Sequence, residues 1–232
     1  MTRTLFPSPA WPTVPVKGED AAYPVHRVFC VGRNYAAHAA EMGVEVDREA
    51  PFYFTKSALT ILPGGQTFPY PPGTENFHYE MELVVAIGSP AFRVSADAAM
   101  DHVYGYAAGF DMTRRDLQLA ARAKQRPWDL GKDVEGSAVI APITKAADFG
   151  AVGDQRISLT VDGEVRQDAR LSDLIWTVAE LVADLSKYYH LAPGDLIYTG
   201  TPAGVGAVGP GAVVRGEIDG LDPVELTVGQ PE

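Results

Sequence analysis

The chain has 232 residues, enough for one large domain or two small ones, and its 46% hydrophobic and 21% charged content is that of a soluble globular protein. A formal net charge of −11 without a basic stripe argues against nucleic acid as a partner, so an anionic substrate would need local positive charge from side chains or a metal. The single cysteine, Cys30, excludes an internal disulfide and a cysteine-ligated metal centre, and no apolar leader or membrane-length apolar run is present, which predicts a cytoplasmic protein.

Residues 1–25 carry Pro7, Pro9, Pro12, Pro15 and Pro24 with aromatic residues between them and read as an extended arm. VHRVFCVG (25–32) follows as a strand with Cys30 as a small buried hydrophobe. Asn34 is then placed to cap a short Ala-rich helix, YAAHAAEM (35–42), which Gly43 ends. PFYFTKSA (51–58) reads as another strand, and PGG and PYPPG as turns. In FHYEMELVVAIG, residues 78–87 alternate as a strand, with Met81, Leu83, Val85 and Ile87 on a core face and His78, Glu80 and Glu82 on the other. Val103–Phe110 is a second strand ending at Asp111. Thr113 and Asp116 form a capping-box pattern before the helix-forming LQLAARAKQ. Beyond Lys132 come SAVIAPI, a hairpin RISLTVDGEVRQ turning at Asp162-Gly163, a helix over 172–188, the strand DLIYTG, and a closing hairpin near GAVVRGEIDGLDPVELTV. With 23 Gly and 18 Pro punctuating the chain, the expected class is mostly β (α+β), with short flanking helices.

Several polar residues stand out against this frame. Glu80 and Glu82, two residues apart on a strand, point the same way about 6.6 Å apart. A hard divalent cation would compensate their repulsion, but a solvated strand face would serve equally well. Asp111 sits where a rigid strand feeds a helix, which favours a third oxygen ligand over a turn or helix-end charge. His38 and Glu41, three apart on the short helix, form either a general-base pair for water or two unrelated surface groups. Lys132, in an apolar-aromatic stretch, either binds an oxyanion or snorkels to solvent. GDLIYTGTPAGVG lacks a nucleotide-binding fingerprint. Its Thr201 and backbone N–H groups could hold a small anion, or the loop is a plain turn.

In chain order, GRNYAAHAAEMG (32–43), the lysine of FYFTKSA, HYEMELVVAIG, GYAAGFDMTRRDLQ (105–118), RPWDLGKDVEGSAVIAP (126–142) and GDLIYTGTPAGVG (194–206) resemble the fumarylacetoacetate hydrolase family. The match extends over nearly everything from residue 27 onward, and the phrasing of FDMTRRDLQ and RPWDLGK is most similar to its small acylpyruvate hydrolases. The resemblance implies a mixed β-sheet roll or barrel over 26–232 as a single catalytic domain, usually a homodimer. It implies Mg²⁺ or Mn²⁺ at Glu80, Glu82 and Asp111, with His78 a less favoured fourth ligand. It implies contacts from Lys132, Gln118 and Thr201 to the 2-oxo acid end of a substrate, and water activation by His38 and Glu41. The implied reaction is hydrolysis of an acylpyruvate, fumarylpyruvate first among them; its second carboxylate would want a cation, and Arg33 (or Lys56) is nearest by motif. Oxaloacetate decarboxylation or isomerisation of an unsaturated hydroxy-diacid would use the same site. A non-catalytic 2-oxo acid binder would have no use for the His38–Glu41 pair. One departure is that Ser57 follows Lys56 where the family commonly has proline.

Overall fold

The computed structural model of the chain describes residues 5–7, 10–41, 43 and 48–232; Met42, residues 44–47 and the arm residues 1–4, Ser8 and Pro9 lie outside the described residues. The eight-stranded sheet runs Phe52–Lys56, Arg27–Gly32, Asp195–Tyr198, Met81–Ile87, Val103–Asp111, Ala138–Ile140 and Ile61–Pro63, and Thr144–Lys145 also pairs with Val103–Asp111. Asp195–Tyr198 lies parallel to Arg27–Gly32, and Ala138–Ile140 parallel to Ile61–Pro63, so the sheet is mixed. A second sheet of five strands orders Glu164–Arg170, Arg156–Val161, Val213–Ile218, Val224–Val228 and Gln66–Phe68. The expected mostly β class, with a curled half-barrel sheet and few short helices, is the one observed.

Met81, Leu83, Val85 and Ile87 face a core shared with Ile157, Leu159, Val214 and Leu226 of the second sheet. Gly216 permits the close approach of the two layers, since a Cβ there would lie 2.2 Å from the sulfur of Met81 and 2.7 Å from Phe110. The opposite face is not wet, as simple alternation suggested. Val84, Ala86, Cys30 and Leu196 are buried there with Val14, Val16, Tyr23 and Val25 of the arm, and both faces of a mixed sheet are covered.

The hairpin turn at Asp162-Gly163 has both residues at positive φ (51° and 83°), as a tight type I′ turn requires. Three local expectations need correction. The strand at 78–87 is two strands, Phe77–Tyr79 and Met81–Ile87, interrupted at Glu80; the first leaves the large sheet to pair with Thr113–Arg114 and Gly206–Ala207. The late helix is Val178–Tyr188, not 172–188. Leu171–Asp173 form a separate 3₁₀ turn, and the helix starts at a capping box in which Thr177 and Glu180 satisfy each other's backbone N–H. Thr113 and Asp116 make no such box: the Thr113 hydroxyl donates to Asp111 O, and Asp116 accepts from Thr74 and from the Glu75 N–H, while the helix occupies Arg115–Ala123. Among the described residues no helix is long and apolar enough to cross a membrane.

Candidate active site

The break at Glu80 places three acids around the start of one strand and the end of its neighbour. Glu82 lies opposite Gly109 in the antiparallel ladder and Met81 opposite Phe110, while the Asp111 N–H donates to Glu80 O at 2.9 Å. Glu80, Glu82 and Asp111 are all buried, and each can present an oxygen within 4.8 Å of the other two. The solvated-face alternative is therefore excluded. Oδ1 of Asp111 is buried and makes no hydrogen bond, its nearest partner being the Lys56 ammonium at 2.9 Å, and three carboxylates converging on one point are the donor set that suits a hard divalent cation. His78 does not belong to the cluster. Its Nδ1 lies 3.4 Å from Arg115 Nε and its Nε2 2.8 Å from Asn76 Oδ1, so both ring nitrogens are occupied. Burial, then the Arg115 charge, lowers its pKa to about 4.

Three cations are packed against the acids. Lys132, fully buried at the end of a single helical turn, Asp129–Lys132, donates to Glu80 Oε2 at 2.7 Å and to Asp111 Oδ2 at 2.6 Å, which rules out snorkelling. Arg115 donates to the other oxygen of Glu80 and to Gln118 Oε1. Lys56 lies beneath the cluster. It donates to Met112 O (3.1 Å), to Ser137 Oγ (2.6 Å) and to Lys132 O, and its Nζ is 2.9 Å from Asp111 Oδ1 without the angle of a hydrogen bond. With its three protons spent and its side chain sealed, Lys56 cannot meet a substrate carboxylate, and that expectation is corrected. Burial disfavours the charged form of Glu80, but Lys132, Arg115 and His38 outweigh it and hold the carboxyl well below its ordinary range. Glu82 goes the other way: burial, then the charges of Asp111 and Glu80, push its pKa well up. Lys132, opposed by burial, is raised by Asp111 and Glu80 and stays an ammonium.

The water-activating candidates sit on the helix Ala36–Glu41. His38 is buried, its Nδ1 3.0 Å from Glu41 Oε2, and Glu41 also accepts from the Gly204 N–H at 3.2 Å. The exposed-surface reading of His38 thus fails. Asn34 is not a helix cap. Its amide donates to Trp176 O and Thr199 O and accepts from the Trp176 N–H, so it ties this segment to the loop that follows Asp195–Tyr198. In that loop the Gly200 N–H donates to Glu82 Oε2 at 2.8 Å, and Thr201 Oγ1 accepts from Gln167 Nε2, leaving the hydroxyl proton free. Gly200, at φ 98°, is required here, because a Cβ would lie 2.7 Å from that of Asn34.

A cavity of about 40 Å³ brings these residues together. Arg33, His38, Glu80, Glu82, Gln118, Lys132 and Thr201 line it; Asp111 and Glu41 stand behind, bonded to Lys132 and His38. Sequence reasoning assigned no role to Arg115, Arg122, Phe54 and Trp128, which also line it, nor to Gln167, which positions Thr201. The signal for the helix was available: residues 115, 118 and 122 fall at i, i+3 and i+7 and share one face. That face is polar and turned inward, whereas Leu119 is 43% exposed. Gly131 lets the Lys132 turn press against this helix, since a Cβ would meet Gln118 N at 2.8 Å. Ser57 has its own use for not being proline: its N–H donates to Asp133 Oδ1 at 2.8 Å and its hydroxyl caps the 3₁₀ turn Ala58–Thr60.

Residues 27–229 match the family described as Fumarylacetoacetate (FAA) hydrolase C-terminal. The chain belongs to the fumarylacetoacetate hydrolase family. Among the similar members of this family is the fumarylpyruvate hydrolase of Ralstonia sp, 56% identical over 194 residues, covering 82% of this chain and all of that protein. Another is the mitochondrial oxaloacetate tautomerase FAHD1 of Arabidopsis thaliana, 40% identical over 205 residues, 87% of this chain and 90% of that one. The crystal structure of fumarylpyruvate hydrolase from Pseudomonas aeruginosa in complex with Mn²⁺ and pyruvate superposes with a TM-score of 0.95 at 48% identity, covering 98% of this chain and 100% of that chain.

Proposed function

We propose that this fumarylacetoacetate hydrolase family chain is a metal-dependent hydrolase of the carbon–carbon bond in acylpyruvates, and that it converts fumarylpyruvate to fumarate and pyruvate. The observation that carries this reading is the buried His38–Glu41 pair on the same cavity as the three carboxylates, because a water-activating dyad has a use only where water attacks. The relative named for this activity, at 56% identity, supports the substrate class.

Glu80, Glu82 and Asp111 would hold one Mg²⁺ or Mn²⁺, a Lewis acid for the 2-oxo and carboxylate oxygens of the pyruvyl end. Glu41 accepts the Nδ1 proton of His38, which fixes the tautomer and leaves Nε2 to take a proton from water. The water oxygen bonds to the distal carbonyl carbon, the carbon–carbon bond beside it breaks, and its electron pair leaves on the pyruvyl fragment. That fragment takes up a proton to become pyruvate. Lys132 has two protons on carboxylates and a third for the oxygen on which negative charge develops. Gln118 and Thr201 offer the amide and hydroxyl that orient the 2-oxo acid. Arg33 faces the acyl end. The resemblance adds a homodimer, whose mass light scattering would give, and a cytoplasmic location is proposed with it.

The same acids and Lys132 would stabilise an enolate made by decarboxylating oxaloacetate, a step without attacking water. His38→Ala should therefore lower acylpyruvate hydrolysis by roughly a hundred- to ten-thousand-fold, as loss of a general base does, and affect oxaloacetate decarboxylation far less. Equal small losses in both activities would overturn the dyad assignment. Full hydrolysis by chelator-treated protein would overturn the metal requirement.

A further inference from the structure

Arg33 and Arg122 are an unusual pair. Both line the cavity above the carboxylates and also a second, contiguous cleft of about 460 Å³ that shares Phe54, Trp128 and Lys132 with the first. Neither guanidinium has an ion-pair or side-chain hydrogen-bond partner among the described residues, although the chain carries excess acid. Every cation closer to the acids is already engaged: Lys56, Arg115 and Lys132 each bind a carboxylate or a run of buried oxygens. Arg33 stands at φ 61°, a region that non-glycine residues rarely adopt and that persists where the surroundings enforce it. Its charge is half-buried over the Phe52 ring at 5.7 Å. Burial, then the charge of Arg122, lowers the Arg33 pKa, so the two guanidiniums repel each other across the cleft. Two like charges held together without a counter-ion among the described residues are the arrangement that an anion would complete.

We propose that Arg122, together with Arg33, forms a two-guanidinium clamp for the far carboxylate of a dicarboxylic acylpyruvate, and that Arg122 is a specificity-determining residue of this enzyme. The inference rests on the acylpyruvate reading and deepens it by assigning the substrate class to diacids with carboxylates at opposite ends. The pyruvyl end sits over Glu80, Glu82 and Asp111. The acyl chain runs past Phe54 and Trp128, whose rings lie 5.9 Å apart and offer an apolar wall to a flat unsaturated chain. The terminal carboxylate arrives between the guanidiniums and relieves their repulsion. Arg122 is carried on the same face as Arg115 and Gln118, one helical turn beyond Gln118, so a single helix supports groups at both ends of the substrate.

The test separates clamp from chemistry. 2-Oxoheptanedioate and 2-oxoheptanoate share a chain length, differ by the far carboxylate and lack the second carbonyl needed for cleavage. Calorimetry on the Mn²⁺-loaded enzyme should show the diacid binding at least roughly tenfold more tightly, the size of one charge-assisted contact. Arg122→Met should collapse that ratio towards one, and Arg122→Lys should keep part of it, with thermal unfolding confirming that both variants fold. In turnover, Arg122→Met should lower the specificity constant for fumarylpyruvate at least roughly tenfold more than that for acetylpyruvate. A binding ratio unchanged in Arg122→Met overturns the clamp and leaves Arg33 alone in that role; a ratio of one in the wild type overturns both. Should the wild type cleave no acylpyruvate yet keep the Arg122-dependent binding ratio, the hydrolase reading fails while the clamp stands.

Discussion

Replacing Lys56 by methionine tests whether the acid cluster is built from below. The side chain is fully buried, and its ammonium holds Met112 O, Lys132 O and Ser137 Oγ while lying 2.9 Å from Asp111 Oδ1. Methionine fills nearly the same volume, so the cost is electrostatic rather than a cavity. Lys132 O keeps a donor, since Ser137 Oγ lies 3.1 Å from it. Met112 O is left without its lysine donor, a loss of about 1–3 kcal/mol for an orphaned buried acceptor. Asp111 loses one of two cations; removing a whole buried partner costs about 3–5 kcal/mol, and Lys132 at 2.6 Å limits this to the lower part of that range. The combined loss should be about 4–6 kcal/mol. For a chain of this size that lowers Tm by roughly 8–24 °C, readable by calorimetry or circular dichroism in metal-free buffer. A Tm within about 2 °C of wild type, combined with a lost preference for diacid substrates, would mean that the ammonium faces the cleft and would refute the arrangement.

Glu82 carries a pKa pushed well above its ordinary value by burial and by Asp111 and Glu80, so at mildly acid pH it holds a proton that a divalent cation must displace. Mn²⁺ binding should release protons there and tighten as pH rises; calorimetry in buffers of different ionisation enthalpy reads the number, and Glu82→Ala should abolish the release with most of the affinity. No proton release in the wild type would contradict the assignment. His78 gives a second pH dependence. Its pKa falls from an ordinary 6.5 to about 4 on folding, so between those values the unfolded chain binds the extra proton. Its contribution is therefore complete above pH 6.5 and is lost as pH drops towards 4. His78→Gln, which keeps a partner for Asn76, should flatten that part of the urea-midpoint profile; an identical slope in both proteins would show that the ring charges freely in the fold.

Strands and tight turns were readable because their signals are local: alternation in Met81–Ile87, Asp162-Gly163 at a turn, a Gly at the end of the His38 helix. Asn34 reads as a helix cap in sequence, but its partners, Trp176 and Thr199, lie 142 and 165 positions away, and a side chain that caps a helix looks the same in sequence as one that joins distant loops. The helix Val178–Tyr188 reads too long in sequence because Leu174, just past the 3₁₀ turn, extends its apolar stripe. Lys56 and Lys132 were ambiguous for a different reason, since a lysine is buried only when acids from other elements are there to receive it. The chain breaks several local rules in one neighbourhood: Arg33 at positive φ, a helix with Gln118 inside and Leu119 outside, two buried lysines, a strand interrupted at a glutamate. Folding alone favours none of these, and independent accidents would be scattered over the surface. All of them lie around one cavity, where the proposed metal, water and diacid would demand buried charge and a bent backbone.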